Sequence, residues 1–279
     1  MSAIRLIATD LDGTFLTQGD ATHPDNRAAI ARCRARGIRV CACSGRPFAS
    51  MRKIVREAGF DALCVSVNGA AIVDAQTGEI VYHNRFAPEV VEPLIRACLP
   101  LGCSRVDIAG HRGMYICRID AKRHEAEHAS PEEERHTFEF TDLDAMIAQA
   151  REDTERISLE ISAADTIRLD VVEAACRAVT PVEVISPDLR FIEITPLNGT
   201  KAEAVALLAN QYGCAPEQVL ALGDGLNDLH MLLWAGTGVA MGNADIRLKM
   251  IADMTTESNE RAGFARAIEQ IVFDEWEKE

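Results

Sequence analysis

The 279-residue sequence lacks two features that would each assign it to a particular class of protein. No apolar run approaches the ~20 residues that a helix needs to span a bilayer, so we do not expect a membrane protein. Positive charge is not in excess, because 29 Lys and Arg against 43 Asp and Glu give a formal net charge of −14. Such a surface repels nucleic acid and anionic lipid. We therefore expect no nucleic acid and no membrane among its partners.

The cysteines form no pattern that is typical of a zinc site or a disulfide framework. There are nine of them, an odd number, and most lie singly within apolar runs. Cys41 and Cys43 are close together, but no second pair accompanies them, as a metal site would require. Residues 1–3 lead straight into an apolar segment without the features of a signal peptide. We expect reduced thiols, none of them catalytic, in a cytoplasmic protein.

What the sequence does contain is an alternation of apolar strands and helices, in a chain long enough for two domains or one large domain. The strands of this alternation are apolar on both faces, which favours a parallel sheet covered on both sides. We predict an α/β fold with a doubly wound, parallel, Rossmann-like core sheet. The predicted core strands are 4–9, 38–43, 63–67, 191–194, 219–222 and 238–241. The predicted core helices are about 24–36, then 48–58, 201–212, 229–234, 244–250 and 260–276.

Residues 85–190 interrupt this rhythm, after a predicted hairpin with strands at 71–74 and 79–82. Helix-like and strand-like stretches alternate there, but no strand ends in paired carboxylates or glycines. We predict an inserted α/β domain at 85–190, and a core made of 1–84 and 191–279. The insert contains His124, His128 and His136 in a charged run; solvated surface is favoured over a metal cluster, because no cysteine or ligand-rich helix surrounds them.

Two carboxylates, Asp10 and Asp12, follow the first apolar strand. Residues i and i+2 of an extended chain project to the same side, so both are expected in one small volume. Like charges so close together repel, and such a pair persists when a cation lies between them or one carboxylate holds a proton. Gly13 permits a sharp turn, and Thr14 offers a hydroxyl and an amide to the same point.

Further polar groups follow other core strands or begin core helices. In an open parallel sheet, ligands bind beyond the carboxyl ends of the strands, so we expect these groups to gather around Asp10. Carboxylates and a backbone carbonyl form an oxygen-rich site that suits Mg²⁺. The groups expected around Asp10 are Ser44, Gly45, Lys201, Asp224, Asn227 and Asp228. Arg46 and Asn68 are weaker candidates, and only for contacts with a substrate.

These groups together predict a phosphoryl transfer. The Lys201 ammonium neutralises a phosphate and stabilises the charge of the nucleophile, while the hydroxyl of Ser44 and the amide of Gly45 donate to phosphate oxygens. Asp10 attacks phosphorus and forms an aspartyl phosphate. Asp12 protonates the leaving alkoxide and later takes a proton from the water that hydrolyses the intermediate.

In kind and order, the motifs resemble those of the haloacid dehalogenase-like (HAD) hydrolases. The Ser-Gly-Arg-Pro and Val-Asn-Gly-Ala stretches and the Gly-Asp-Gly-x-Asn-Asp string are most similar to the Cof-type phosphatases, which carry an α/β cap of type C2B. That cap lies between the second and third motifs, where residues 85–190 fall. The four motifs are Asp10-Leu11-Asp12-Gly13-Thr14, Cys43-Ser44-Gly45-Arg46-Pro47, Gly199-Thr200-Lys201 and Gly223-Asp224-Gly225-Leu226-Asn227-Asp228.

This resemblance implies an Mg²⁺-dependent phosphatase that acts on small-molecule phosphomonoesters: sugar phosphates, nucleotides or cofactor phosphates. It implies metal ligation by the carboxylates of Asp10 and Asp224 and the backbone carbonyl of Asp12, with Asp228 ligating or supporting them. The implied phosphate-binding residues are Thr14, Ser44, Gly45, Lys201 and Asn227.

Two alternatives stay open at this point. A sugar phosphomutase would use the same aspartyl phosphate but return the phosphoryl group to a sugar. A phosphate-binding regulator on a catalytically silent scaffold is disfavoured, because Asp10 and Asp12 are both present. No single metabolite and no oligomeric state are predicted.

Overall fold

The computed structural model describes residues 3–119, 136–161, 169–186 and 191–273. The chain divides into two compact units, the first formed by Met1–Gly45, Met51–Val81 and Thr200–Glu279, and the second by Arg46–Ser50 and Tyr82–Gly199. Both units are mixed α/β structures: the first holds a five-stranded sheet and most of a three-stranded one, and the second holds a six-stranded sheet. The predicted α/β class, with a parallel core sheet and a separate inserted sheet, is confirmed.

The elements are numbered in chain order. The strands are β1 (Leu6–Thr9), β2 (Arg39–Ala42), β3 (Leu63–Ser66), β4 (Ala71–Asp74), β5 (Ile80–His83), β6 (Cys103–Gly110), β7 (Gly113–Arg118), β8 (Thr137–Phe140), β9 (Arg156–Ile161), β10 (Val182–Ile185), β11 (Phe191–Pro196), β12 (Val219–Gly223), β13 (Thr237–Ala240) and β14 (Met254–Thr255). The α-helices are α1 (Pro24–Ala35), α2 (Phe48–Ala58), α3 (Pro88–Cys98), α4 (Leu143–Ala150), α5 (Leu169–Arg177), α6 (Lys201–Gln211), α7 (Leu229–Trp234), α8 (Ile246–Ile251) and α9 (Gly263–Ile268).

The core sheet of the first unit has the strand order β14-β13-β12-β1-β2, and every pair in it is parallel. β1 and β12 are neighbours although they come from opposite ends of the chain, with Thr9 beside Leu222. Every residue of these two strands is buried, which explains why they are apolar on both faces. The strand order reverses between β1 and β12, and this is where parallel sheets open a crevice at their carboxyl edge.

β3 differs from the sequence prediction of a third parallel core strand. It pairs antiparallel with β4 and belongs to a three-stranded sheet with β5. Among the described residues, it meets the core sheet through a single parallel bridge between Cys43 and Val65. The predicted hairpin is confirmed as β4 and β5; the Asp74 carboxylate accepts from the backbone N–H groups of Gln76 and Thr77 in its turn.

The sheet of the second unit has the order β10-β11-β9-β6-β7-β8. β11, which was predicted to resume the core, instead pairs antiparallel with β9 and β10, so that prediction is wrong. Its residues alternate in environment: Ile192 and Ile194 enter the hydrophobic core of this unit, while Glu193 pairs with Arg156 at 3.0 Å. Such alternation is typical of a strand whose two faces have different neighbours.

The central strand β6 was not predicted from the sequence, and neither was β8. All eight residues of β6 are buried, including two charged ones. Arg105 and Asp107 lie on the same face of the strand and form an ion pair at 2.6 Å. Buried charges are tolerated when they are paired, but they conceal the apolar signal by which a strand is predicted.

Smaller differences concern the end of the chain. The predicted helix 260–276 is the α-helix α9 followed by a π-helix at Glu269–Phe273, and it begins after Ala262, which has a φ of +56°. His124, His128 and residues 274–276 lie outside the described residues.

All nine cysteines have free thiols, and all but Cys214 are buried. Within the described part of the chain, no helix has the length and apolarity needed to cross a membrane.

Candidate active site

Asp10 and Asp224 directly follow the neighbouring strands β1 and β12. The parallel ladder continues one step past β1, since the backbone N–H of Asp10 donates to the carbonyl of Leu222 at 3.0 Å. Asp10 is buried and Asp224 is half-buried. The topology thus places two carboxylates side by side at the carboxyl edge of the sheet, far apart as they are in sequence.

Lys201, in the first turn of α6, extends its side chain to these carboxylates at the edge of the core sheet. Thr200 caps this helix: its hydroxyl accepts from the N–H of Glu203, and the Glu203 carboxylate accepts from the N–H of Thr200. This capping box fixes where the helix begins and therefore where its first side chain points. The Lys201 side chain is fully buried, and its Nζ donates to Oδ1 of Asp10 and Oδ1 of Asp228, each at 2.7 Å.

Asp228 is held on both of its carboxylate oxygens. Oδ1 receives Lys201, and Oδ2 accepts from the backbone N–H groups of Asp224 at 3.0 Å and Gly225 at 3.1 Å. A Cβ on Gly223 would lie 2.4 Å from the Cβ of Asp228, so that position requires glycine. With the Lys201 ammonium on Oδ1 and two backbone N–H groups on Oδ2, Asp228 is placed to hold its neighbours in position.

The loop after β1 carries Asp12 and Thr14. The Thr14 hydroxyl donates to Oδ1 of Asp224 at 2.9 Å, so this predicted phosphate ligand contacts a carboxylate in the structure. Gly13 has a φ of +71°, and a Cβ there would lie 2.2 Å from Oδ2 of Asp224. Asp12 is exposed, unlike Asp10. The two aspartates of the first motif therefore occupy different environments.

Burial and charge crowding set the electrostatics of this cluster. Burial raises the pKa of Asp10 well above its usual value; Lys201 lowers it, while the nearby carboxylates of Asp228, Asp12 and Asp224 raise it. Burial likewise raises the pKa of Asp224, to about 6. For Lys201, burial alone would lower the pKa, but the ion pairs with Asp10 and Asp228 outweigh it and the pKa is raised. The lysine is therefore held as an ammonium.

Three of these carboxylates form a group with the chemistry of a metal site. Asp10, Asp224 and Asp228 each offer an oxygen within 4.8 Å of the others. Burial, and after it the repulsion among these carboxylates, raises the pKa values of Asp10 and Asp224, and a bound cation would relieve the repulsion. The donors are all oxygens, as Mg²⁺ and Ca²⁺ prefer. The residues present thus fit a hard divalent ion.

The predicted residues Ser44, Asn68 and Asn227 lie in one hydrogen-bonded chain. The backbone N–H of Asn68 donates to the carbonyl of Ser44 at 3.0 Å, and Nδ2 of Asn227 donates to Oδ1 of Asn68 at 2.9 Å. Ser44 is buried and Gly45 is half-buried. Arg46 is also buried but belongs to Arg46–Ser50, which groups with the second unit. Contacts of Arg46 and Asn68 with a substrate stay predictions.

Asn243, which follows β13, was not predicted to take part in the site. Its Nδ2 donates to the carbonyl of Gly13 at 2.8 Å and lies 3.4 Å from Oδ2 of Asp224. The signal that would have found it is the one that found the others, a polar residue shortly after the carboxyl end of a parallel strand; Asn243 is the third residue after β13.

The loop between β3 and β4 approaches the start of α6 closely. Val67, Asn68 and Gly69 all have positive φ values, of 46°, 56° and 109°. A Cβ on Gly69 would lie 2.2 Å from the carbonyl oxygen of Thr200. Glycine is thus required for two separate reasons at this position, its backbone conformation and the space available.

We expect Gly69→Ala to destabilise the protein more than Gly37→Ala, as measured by urea unfolding. Gly37 also has a positive φ, +76°, but a Cβ there would meet nothing within 4 Å. The control therefore carries only the backbone strain, about 1–2 kcal/mol. Gly69→Ala adds an overpacking cost of roughly 1–3 kcal/mol. Equal losses in the two variants would contradict the close approach to Thr200.

Known proteins match this chain along nearly its whole length. A family model described as haloacid dehalogenase-like hydrolase matches residues 7–268. The putative phosphatase YxeH of Bacillus subtilis (strain 168) is 26% identical over 96% of this chain and 98% of its own length. A second protein of that strain, the 5-amino-6-(5-phospho-D-ribitylamino)uracil phosphatase YcsE, is 27% identical over 95% of this chain and 94% of its own.

Comparison with solved structures agrees with the comparison of sequences. The crystal structure of a haloacid dehalogenase-like hydrolase from Bacteroides thetaiotaomicron superposes with a TM-score of 0.76 at 28% identity. The match covers 96% of this chain and 99% of the other.

Proposed function

Because this chain belongs to the haloacid dehalogenase-like hydrolases, we propose that it is an Mg²⁺-dependent phosphatase that hydrolyses small-molecule phosphomonoesters through an aspartyl phosphate. Its phosphatase character agrees with the names of its relatives. One observation carries the proposal: Lys201 bridges Asp10 and Asp228 at 2.7 Å, beside Asp224, at the carboxyl edge of the sheet. The protein has a net charge of −14, so a phosphate anion can bind only where positive charge is concentrated, and here Lys201 and the proposed Mg²⁺ would supply it.

In the proposed reaction, a carboxylate oxygen of Asp10 forms a bond to phosphorus as the bond from phosphorus to the alcohol oxygen breaks. Asp12 donates a proton to the departing alkoxide. Water then attacks the same phosphorus and gives its proton to Asp12, so that inorganic phosphate leaves and Asp10 is regenerated. The exposure of Asp12 supports this role, because a group that serves both the leaving alcohol and the attacking water needs access to both.

Mg²⁺ would be held by the carboxylates of Asp10 and Asp224 and the backbone carbonyl of Asp12. When bound, it would neutralise charge on the phosphoryl oxygens. Asp228, occupied on both oxygens, supports this set by holding Lys201 and the backbone after β12. Ser44, Gly45 and Asn227 are the proposed ligands of the remaining phosphate oxygens, and Thr14 acts through Asp224.

The second compact unit is the proposed cap, predicted from the sequence at residues 85–190. The strand β11 belongs with it, because it pairs within the second sheet. The cytoplasmic location stays a prediction from the sequence.

The activity is tested by release of inorganic phosphate from p-nitrophenyl phosphate and from a panel of phosphorylated metabolites. We expect steady turnover with Mg²⁺ and without any bisphosphate activator. A requirement for a sugar bisphosphate would favour a phosphomutase, and binding of phosphate esters without turnover would favour the regulator.

Removal of divalent metal by a chelator is expected to lower this turnover to the uncatalysed background, and added Mg²⁺ to restore it. Ca²⁺ is expected to bind without restoring full activity, because its larger and looser ligand shell misplaces the phosphate. Because the ion is expected to bind the native state and not the unfolded chain, adding it to the metal-free protein should raise the melting temperature. Full turnover in the chelated enzyme would contradict the metal dependence.

A further inference from the structure

Asn243 connects the loop after β1 with the residues that follow β12. Its Nδ2 donates to the carbonyl oxygen of Gly13 at 2.8 Å and lies 3.4 Å from Oδ2 of Asp224. Thr14 donates to the other oxygen of that carboxylate, Oδ1, at 2.9 Å. Both oxygens of Asp224 thus receive a donor that carries no charge. Such a donor orients a carboxylate without cancelling the negative charge that a cation would need.

The amide of Asn243 is itself fixed from the opposite side. Its Oδ1 accepts from the backbone N–H of Asn259 at 3.0 Å. Asn259 is in turn anchored, since its Nδ2 donates to the carbonyl of Leu16 at 2.9 Å. With Oδ1 engaged, the NH₂ group of Asn243 is directed at Gly13 and Asp224. Asn243 is exposed, so these hydrogen bonds, and not burial, pre-organise its amide before an ion binds.

Gly13 makes this contact significant, because it follows Asp12 directly. The proposed metal ligand on that loop is the backbone carbonyl of Asp12. The hydrogen bond to the Gly13 carbonyl orients the planar Gly13–Thr14 peptide unit, and the unit that bears the Asp12 carbonyl is joined to it through the Cα of Gly13. Asn243 therefore acts on two of the three proposed ligands at once, the Asp12 carbonyl through Gly13 and the Asp224 carboxylate directly.

We propose that Asn243 is a positioning residue that sets the affinity of this site for its divalent cation. This inference rests on the proposed function, because it assumes that Asp12 and Asp224 ligate an ion. Asn243 contacts neither the ion nor the phosphate in this proposal. Outer partners of metal ligands typically change metal affinity by about 10- to 100-fold when they are removed.

The test compares Asn243→Ala with the wild type in direct binding of Mn²⁺ to the metal-free protein, followed by electron paramagnetic resonance of the unbound ion. We expect the dissociation constant to rise by about 10- to 100-fold. In turnover, the Mg²⁺ concentration for half-maximal activity should rise by the same factor. The kcat and the substrate KM at saturating Mg²⁺ should stay within a few-fold of the wild type. Asn210→Ala, which alters an exposed asparagine on α6, is the matched control and should change none of these values.

An unchanged Mn²⁺ affinity in Asn243→Ala overturns the inference, even if the melting temperature falls, because the residue would then be merely structural. The same holds if kcat falls while metal affinity is retained. Should Asn243→Ala not yield folded protein, Asn243→Ser is measured instead; its hydroxyl is too short to replace the amide, so the same loss is expected. A wild type that binds Mn²⁺ more tightly than Asn243→Ala but releases no phosphate would reject the proposed function and support this inference. A wild type that binds no divalent ion overturns both.

Discussion

Asp10→Asn is expected to abolish phosphate release while leaving the fold intact. The amide has the volume of the carboxylate but is not a nucleophile towards phosphorus, so turnover should fall by something on the order of 10⁴- to 10⁶-fold, as when other enzymes lose their nucleophile. The measurement is kcat with p-nitrophenyl phosphate at saturating Mg²⁺. Activity near that of the wild type would show that Asp10 is not the nucleophile.

The stability of this variant follows from its electrostatic surroundings. Burial and three nearby carboxylates disfavour the ionised form of Asp10, while Lys201 favours it. An amide removes the repulsion and weakens the ion pair, so the two effects oppose each other and the melting temperature should change little. Asp25→Asn is the control for loss of one negative charge, because the Asp25 side chain is 70% exposed on α1. It should retain full activity.

Lys201→Ala is expected to lower kcat by about 10²- to 10³-fold, the usual effect of removing one pre-organised electrostatic group. It should also destabilise the protein, because it leaves Asp10 and Asp228 buried without their cation. Breaking a buried ion pair by removing one partner costs roughly 3–5 kcal/mol. Both effects are measured, kcat by steady-state turnover and stability by urea unfolding in metal-free buffer.

Lys201→Met separates charge from packing in this prediction. Methionine fills much of the same buried space without an ammonium, so its kcat should fall as far as that of the alanine variant. Its stability should be intermediate, since it leaves a smaller cavity. A loss of kcat below about tenfold in both variants, far short of the range for such groups, would assign Lys201 a role in positioning alone.

The parts of the fold that the sequence predicts well are those in which local and long-range requirements agree. β1 and β12 are apolar throughout because they are buried on both faces, and α6 begins at Lys201 because Thr200 and Glu203 cap it. The candidate site was predictable for the same reason: its residues follow parallel strands or begin helices, where the topology of the sheet collects them. The resemblance of four motifs to one family then gave each residue a role.

The sequence was misleading where packing overrides the local pattern. β6 contains Arg105 and Asp107, two charged residues that pair with each other within a buried strand, and no local rule reveals that pairing. β11 was predicted as a core strand from its apolar residues, but it pairs antiparallel with β9 and β10 in the second sheet. Asn243 was missed because it lies outside the four motifs, three residues beyond the end of β13, although it contacts Gly13.

The adjacency of β1 and β12 has a consequence for how the protein is made. The ribosome releases Leu6–Thr9 early, yet the neighbour that completes the hydrogen bonding of this strand on one side, Val219–Gly223, emerges only after the whole inserted unit. Tyr82–Gly199 holds nearly all of the second unit and is synthesised before β12. It can therefore fold while β1 still lacks this neighbour. A nascent chain halted before residue 219 should therefore show a protease-resistant insert and a protease-sensitive N-terminal segment.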